Sequence, residues 1–266
     1  MSYSKYFFIA KIEILSAFAY YINILSSSVF ITFLLFIFYN LWKAVYLASA
    51  VTSISGFTLV GLLWYLTLSE SIWNSGSGRT AVIKISDDVK SGNIAYYLNK
   101  PYNFVVYHFS STTGTAIIRS VITFAFAGTL IYFLVGPLKI TLFEIPFVLL
   151  SVLLAIILAI SMNFLIGVTA FWIEDISAFR WIQDKLIFVL GGMLIPLSFF
   201  PLFLQKIALV LPFSYVAYAP AYMFVNFSVS FFVETVLIQI LWITLFVAGA
   251  SLLYNLGAKR VSINGG

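Results

Sequence analysis

Long apolar runs, nearly continuous rather than alternating, constrain this chain more than any other feature. A helix needs about 20 residues, at about 1.5 Å each, to cross a hydrocarbon core of roughly 30 Å. The runs 21–41, 51–68, 113–135, 145–171, 186–200 and 231–256 approach or exceed that length. A membrane barrel would show strands of alternating polarity instead. Charged residues make up only 9% of the 266 and hydrophobic ones 62%, with a mean hydropathy of +1.08. A soluble domain is about a quarter charged. The expectation is an all-α integral membrane protein, a single transmembrane domain over 1–266 with six transmembrane helices, multi-pass in the cell membrane. Little chain remains outside the spans for a soluble catalytic domain, so energy must come from a partner or a gradient.

Cysteine is absent and His108 is the single histidine, which argues against disulfides, thiol chemistry and imidazole or thiolate metal sites. No catalytic, cofactor-binding or metal-ligating residue is assigned. Ser110 and Ser111 are near His108 only in sequence and make no nucleophile dyad with it; an interfacial histidine is the expectation. The net charge of +5 does not point to nucleic acid, because the basic residues lie beside apolar segments rather than in a basic domain.

Short cytoplasmic segments collect Lys and Arg. With six spans and both termini inside, Lys5, Lys11, Arg79, Lys84, Lys90, Lys100, Arg180, Lys185, Lys259 and Arg260 lie inside, and Arg119 lies near an inner span end. Only Lys43, Lys139 and Lys206 are left outside. Residues 1–20 carry Lys5, Lys11 and Glu13 among apolar residues at helical spacing, as an interfacial amphipathic helix would. A cleaved signal ending at Ala17-Phe18-Ala19 competes with this reading, but Lys11 and Glu13 would interrupt its apolar core. Residues 202–226 are apolar yet hold Gln205 and Lys206, with Pro212 and Pro220 following Pro196 and Pro201. That pattern predicts an outer re-entrant helical hairpin between spans five and six, which keeps the parity of the charges.

A polar island over 71–103 separates spans two and three. Its SGSGRT stretch (residues 75–80) resembles the tail of a phosphate loop but has Trp73 where the first glycine belongs and Arg79 where lysine belongs, so a flexible turn is the simpler reading. Downstream, Ile83, Ile85, Val89, Ile94, Tyr97 and Leu98 supply apolar contacts while Lys84, Asp87, Asp88 and Lys90 stay polar. Ser86 is placed to cap a short helix starting near Asp87, Gly92 to end it, and Pro101 to close the segment. Such an element either plugs into a soluble partner or lies as a solvated loop against headgroups.

The order Ile-Ser-Asp-Asp-Val-Lys-Ser-Gly-Asn-Ile-Ala-Tyr-Tyr-Leu-Asn-Lys-Pro, residues 85–101, resembles the cytoplasmic segment between spans two and three of ATP-binding-cassette exporter permeases of the type-two (ABC-2) class, in particular the small permeases. Asp87, Asp88, Ser91, Gly92, Leu98, Lys100 and Pro101 carry that likeness. Further on, Phe171–Trp172, Gly191–Gly192, Ile195–Pro196, Phe200–Pro201 and Leu211–Pro212 resemble the family's second cytoplasmic turn, fifth span and outer hairpin. The resemblance implies a permease subunit of an ATP-driven exporter. It also implies a second permease chain, identical or homologous, and separate ABC ATPase subunits that hold the ATP and Mg. The island would then be the coupling helix, with Asp87, Asp88, Ser91, Gly92, Ile94, Leu98, Lys100 and Pro101 as ATPase-coupling residues.

Other residues carry weaker expectations. Glu174, Asp175 and Arg180 form a second candidate ATPase contact, with Arg180 and Asp184 spaced to pair on one helix face. Arg119 either snorkels or faces a pathway, and Gln205 and Lys206 are candidates for an outer exit. Glu70, Glu144 and Glu234 fall near span ends, where water would solvate them. Trp42, Trp64, Trp172, Trp181 and Tyr215 are expected to anchor at the interfaces with membrane lipids. Two other functions compete: a gradient-driven secondary transporter, which would need ionisable groups buried at mid-membrane, and a lipid-modifying membrane enzyme, which lacks a nucleophile and metal ligands here.

Overall fold

The computed structural model describes residues 4–19, 21–76, 79–91, 104–173 and 175–264. Its regular elements are α1 (Ser4–Ala19), α2 (Tyr21–Ser49), α3 (Leu59–Asn74), α4 (Arg79–Lys90), α5 (Phe104–Val135), α6 (Ile145–Val168), α7 (Ser177–Leu190), α8 (Leu202–Val210), α9 (Tyr218–Val225) and α10 (Val229–Asn264). Short 3₁₀ turns lie at Thr169–Phe171, Leu197–Phe199 and Pro212–Tyr215.

Among the described residues, four helices are long and apolar enough to cross a membrane: α2, α5, α6 with its following turn, and α10. The other two expected spans come out differently. Residues 51–58 form a turn, with Ala50, Ser55 and Gly56 at positive φ and an isolated Ile54–Phe57 bridge. Helix α3 therefore starts only at Leu59, where the Thr58 hydroxyl accepts the Gly61 N–H at 3.1 Å, and has 16 residues. The fifth expected span, 186–200, is not one helix. Instead α7 begins at Ser177, within the second candidate ATPase contact, and stops at Leu190. Gly192, at φ +67°, turns the chain there, and its freed carbonyl accepts the Tyr65 hydroxyl at 2.5 Å. An apolar run hides that break, because what satisfies it is 127 residues away.

Helix α3 is the hub. Every residue from Gly61 to Ile72 is buried, as expected for a helix apolar almost all round. Helices α2 and α5 pack on one side of it and α9 on another. Near the α4 end of the bundle α2, α3 and α5 share a polar clamp. The Ser28 and Thr123 hydroxyls are 3.0 Å apart, and Asn74 Nδ2 donates to Thr123 at 2.8 Å. Helices α6 and α10 run side by side, with Ser151 against Gln239 and Leu165 against Gly249. Helix α1 crosses α5 closely at Gly114, where a Cβ would sit 2.8 Å from the Ala10 carbonyl. The expected N-terminal helix is present, and its Phe8, Ile12 and Leu15 face outward.

Residues 202–225 form two short helices rather than a span. Helix α8 is largely exposed, whereas α9 is buried against α3, α6 and α10. The irregular turn between them leaves backbone groups without helical partners. Gln239, buried in α10, donates through Nε2 to the Tyr215 carbonyl at 3.0 Å and to the Ser151 carbonyl at 3.1 Å. Gln239→Leu is expected to strand the Tyr215 carbonyl and to cost about 1–3 kcal/mol. Thermal unfolding of the purified chain in one fixed detergent would show it as a clear drop in midpoint.

Three expected interface anchors are core residues instead. Trp42 packs edge-on against Phe199, Trp64 lies among Phe124 and Phe224, and Tyr215 is buried beneath α8 and α10. Trp172 and Trp181 are exposed, as anchors need to be. Trp42 and Trp64 lie on faces of α2 and α3 that neighbouring segments cover, and Tyr215 sits in the buried turn Pro212–Tyr215, so each meets protein rather than lipid.

Candidate coupling site

Helix α4 begins at Arg79, eight residues before the expected start, so the SGSGRT stretch ends inside a helix rather than in a turn and Ser86 is a buried mid-helix residue rather than a cap. The inward face is Val82, Ile85 and Ser86, at the i, i+3, i+4 spacing of one helix face. Val82 packs with Ala170 and Ile176, and Ile85 with Phe104, Phe164, Val168 and Ala250. Ile83, expected to make an apolar contact, is 47% exposed, and Asp87 and Lys90 stand out with it on the bare side. Adjacent Asp88 turns partly inward; its Oδ2 is buried with no hydrogen bond among the described residues. Ser91 closes the helix, donating its N–H and hydroxyl to the Asp87 carbonyl at 2.9 and 2.7 Å. Gly92, Ile94, Leu98, Lys100 and Pro101 lie outside the described residues, as does Glu174.

The first residue of α4 is the electrostatic centre of this end. The Arg79 guanidinium lies 3.6 Å from the Trp73 ring centroid, and its Nε donates to Asp184 Oδ1 on α7 at 3.3 Å. The two side chains are 27% and 22% exposed. Asp184 thus pairs 105 residues away rather than with Arg180 on its own helix. Burial pushes the Arg79 pKa down, the charge of Asp184 and its hydrogen bond hold it up, and nearby Arg180 adds to the lowering. Arginine keeps its proton under such shifts. Glu70, on the last turns of α3, also acts electrostatically on Arg79 and is only 4% exposed. Water therefore does not solvate it, contrary to expectation, because α3 is enclosed along its length. Glu144 is half-buried at the start of α6, accepting the Thr141 N–H, and Glu234 is exposed.

Asp175 lies two residues before the first residue of α7, accepting the Ser177 hydroxyl and, at 2.9 Å, the Ser177 N–H. Those bonds hold its pKa below the usual carboxylate range, and Lys90 at the end of α4 adds to the lowering. The two candidate contact segments therefore meet: Arg79 at the start of α4 pairs with Asp184 midway along α7, and Lys90 at the end of α4 acts on Asp175 just before α7. Arg119 sits half-exposed on α5 and donates to Asn23 Oδ1 at 3.0 Å. Gln205 is engaged locally, donating to the Phe200 carbonyl at 2.7 Å, and Lys206 is exposed. His108 is buried against protein, among Phe104, Tyr107 and Phe164, with the Phe104 ring centroid 4.3 Å away. Its extra turns of helix come from α5, which starts nine residues before the expected span.

Sequence reasoning missed Arg79, Trp73, Asp184 and Glu70 as a unit. A signal was present: a carboxylate in the last turns of an otherwise uncharged helix calls for a cation nearby.

Among the described residues the secondary structure is helical, and four of the helices are long and apolar enough to cross a bilayer, which makes this a multi-pass membrane protein. Residues 30–265 match the family described as ABC-2 family transporter protein, and the chain belongs to that family. It is thereby a membrane subunit of the ABC transporter permease class, whose members in general work with ABC ATPase subunits. Neither the search of curated proteins nor that of solved structures found a match.

Proposed function

We propose that the chain is the membrane half of an ATP-driven exporter, seated on a separate ABC ATPase through the bare face of α4. The observation that carries this is the two-sidedness of α4. Val82 and Ile85 fasten it to α6 and its turn, while Ile83, Asp87 and Lys90 are presented outward. An element held on one side and bare on the other transmits a push from a partner without detaching from the bundle. Arg79 passes that push to α3 and α7 at once, since it touches Trp73 and Asp184. ATP and Mg belong to the partner. ATP binding there prefers one arrangement of two permease chains, and that preference drives the rocking between inward and outward access.

In this reading α2, α3, α5, α6, α7 with the turn after it, and α10 make the six crossings, with both termini and α4 cytoplasmic. Residues 202–226 form the outer re-entrant hairpin, and α1 lies at the inner interface with Phe8, Ile12 and Leu15 toward lipid. The buried carboxylate of Glu70 is an observation that favours a gradient-driven carrier instead. Its nearness to Arg79 and its place at the last turns of α3 fit a structural ion cluster better.

Purification of the tagged chain from its native membrane in mild detergent tests the proposal. An ABC ATPase is expected to co-purify, and vanadate-sensitive ATP hydrolysis to accompany it. Reconstituted transport by the chain with no nucleotide-hydrolysing subunit would overturn the reading in favour of the gradient-driven one.

A further inference from the structure

At the end of the bundle opposite α4, helices α5 and α6 and the segment joining them line a cavity of about 590 Å³. That volume falls in the range of about 300–1,000 Å³ typical of pockets for organic ligands. Its floor is Trp64 with Phe124 and Phe224, and its walls include Val148 and Val152. Trp64 spends its indole N–H on the Gly136 carbonyl at 3.1 Å, so the floor presents only ring carbon. The mouth opens sideways, between Val121 and Ala125 on α5 and Leu149 on α6, all exposed. Exposed apolar residues on two membrane-crossing helices face hydrocarbon rather than water, so the cavity opens into the bilayer.

Its length selects an occupant. From Tyr132, near the α5–α6 connection, to Ser120 the lining follows α5 for about 18 Å at about 1.5 Å per residue. That is close to half of a hydrocarbon core of roughly 30 Å, the reach of one acyl chain in one leaflet. At the open end of this track the connection carries exposed Lys139 between the lining residues Leu138 and Ile140. We infer that this is a binding site for a membrane phospholipid with an anionic headgroup: one acyl chain fills the cavity down to Trp64, and the phosphate rests beside Lys139. The site is independent of α4 and of the ATPase reading, because it touches neither.

The test uses the full chain in lipid nanodiscs containing phosphatidylglycerol with a mid-chain diazirine, or phosphatidylcholine bearing the same group. After illumination, labelled peptides are mapped by mass spectrometry. Trp64 is only 8% exposed and Leu35 fully buried, so label on Trp64 well above that on Leu35 reports a chain inside the cavity. Phe133, 79% exposed, serves as the bilayer-facing control. Ala125→Phe and, separately, Val152→Phe fill the cavity and are expected to cut Trp64 labelling at least fivefold, leaving Phe133 unchanged. Lys139→Glu is expected to cut it severalfold for phosphatidylglycerol and hardly for phosphatidylcholine. Trp64 labelling no greater than Leu35, as when a second copy of the chain covers the mouth, would overturn the site. So would labelling that survives both filling substitutions. Equal labelling by the two lipids, in wild type and Lys139→Glu alike, would overturn the anionic headgroup.

Discussion

Ile83→Asp combined with Asp87→Lys is expected to leave the protein folded and to reduce ATPase-driven transport at least tenfold. Ile85→Asp, two residues from Ile83, is expected to do the reverse in kind by unseating α4 itself. The difference follows from burial. Ile83 is 47% exposed and Asp87 is exposed, so neither substitution removes packing, and the stability change stays within about 0.5 kcal/mol for each. Ile85 is fully buried among Phe104, Phe164, Val168 and Ala250, where a carboxylate has no partner and costs roughly 4 kcal/mol or more. Thermal unfolding beside reconstituted transport and pull-down of the ATPase separates the two. A double variant at 83 and 87 that transports and binds its ATPase normally would remove α4 from the coupling role. An Ile85→Asp protein as stable as wild type would contradict the packing itself.

The second large effect centres on Arg79. Arg79→Ala removes a charged hydrogen bond, of about 1.5–3 kcal/mol, and a guanidinium stack on Trp73, of about 0.5–1 kcal/mol. It also leaves the buried Glu70 without the cation that acts on it. A loss near 3 kcal/mol is expected, with Asp184→Asn costing less because Glu70 and Trp73 keep their partner. The informative variant is the double one. Glu70→Gln removes the group on which Arg79 acts, so its cost in the Arg79→Ala background should be at least about 1 kcal/mol smaller than its cost alone. Unfolding midpoints of the four proteins in one detergent complete the cycle. If the two effects simply add, within about 0.5 kcal/mol, the charges are not coupled and Arg79 is an ordinary surface cation.

Legibility varied with how local each cause was. The span expected at 145–171 coincides with α6 and its terminal turn, Ile145–Phe171, since an uninterrupted apolar run between Pro146 and the Glu174–Asp175 pair is bounded by its own residues. The run at 186–200 is equally apolar, yet α7 stops at Leu190, where the chain turns at Gly192 and the Tyr65 hydroxyl donates to the Gly192 carbonyl. In α4, Asp87 is exposed, in keeping with its polar character in the sequence. The helix start was misplaced because Ser86 has the chemistry of a cap, while its position on the buried side of α4 depends on Ala170, Ile176 and Val168 far along the chain. Arg180 and Asp184 were one plausible pair by spacing; Arg79 displaced it through a turn whose direction no local pattern encodes.

By itself, then, the sequence determined that this is a helical membrane protein with a charged element between its second and third apolar runs, and it carried enough family likeness to point to a permease. Hydrophobic length and charge distribution are properties of a chain and need no fold to act. Only the tertiary structure decided which side of α4 is bare, that Glu70 is buried beside Arg79, and that α5 and α6 line a cavity floored by Trp64. Each of these depends on surfaces brought together from segments tens to more than a hundred residues apart, and burial exists only once those surfaces meet.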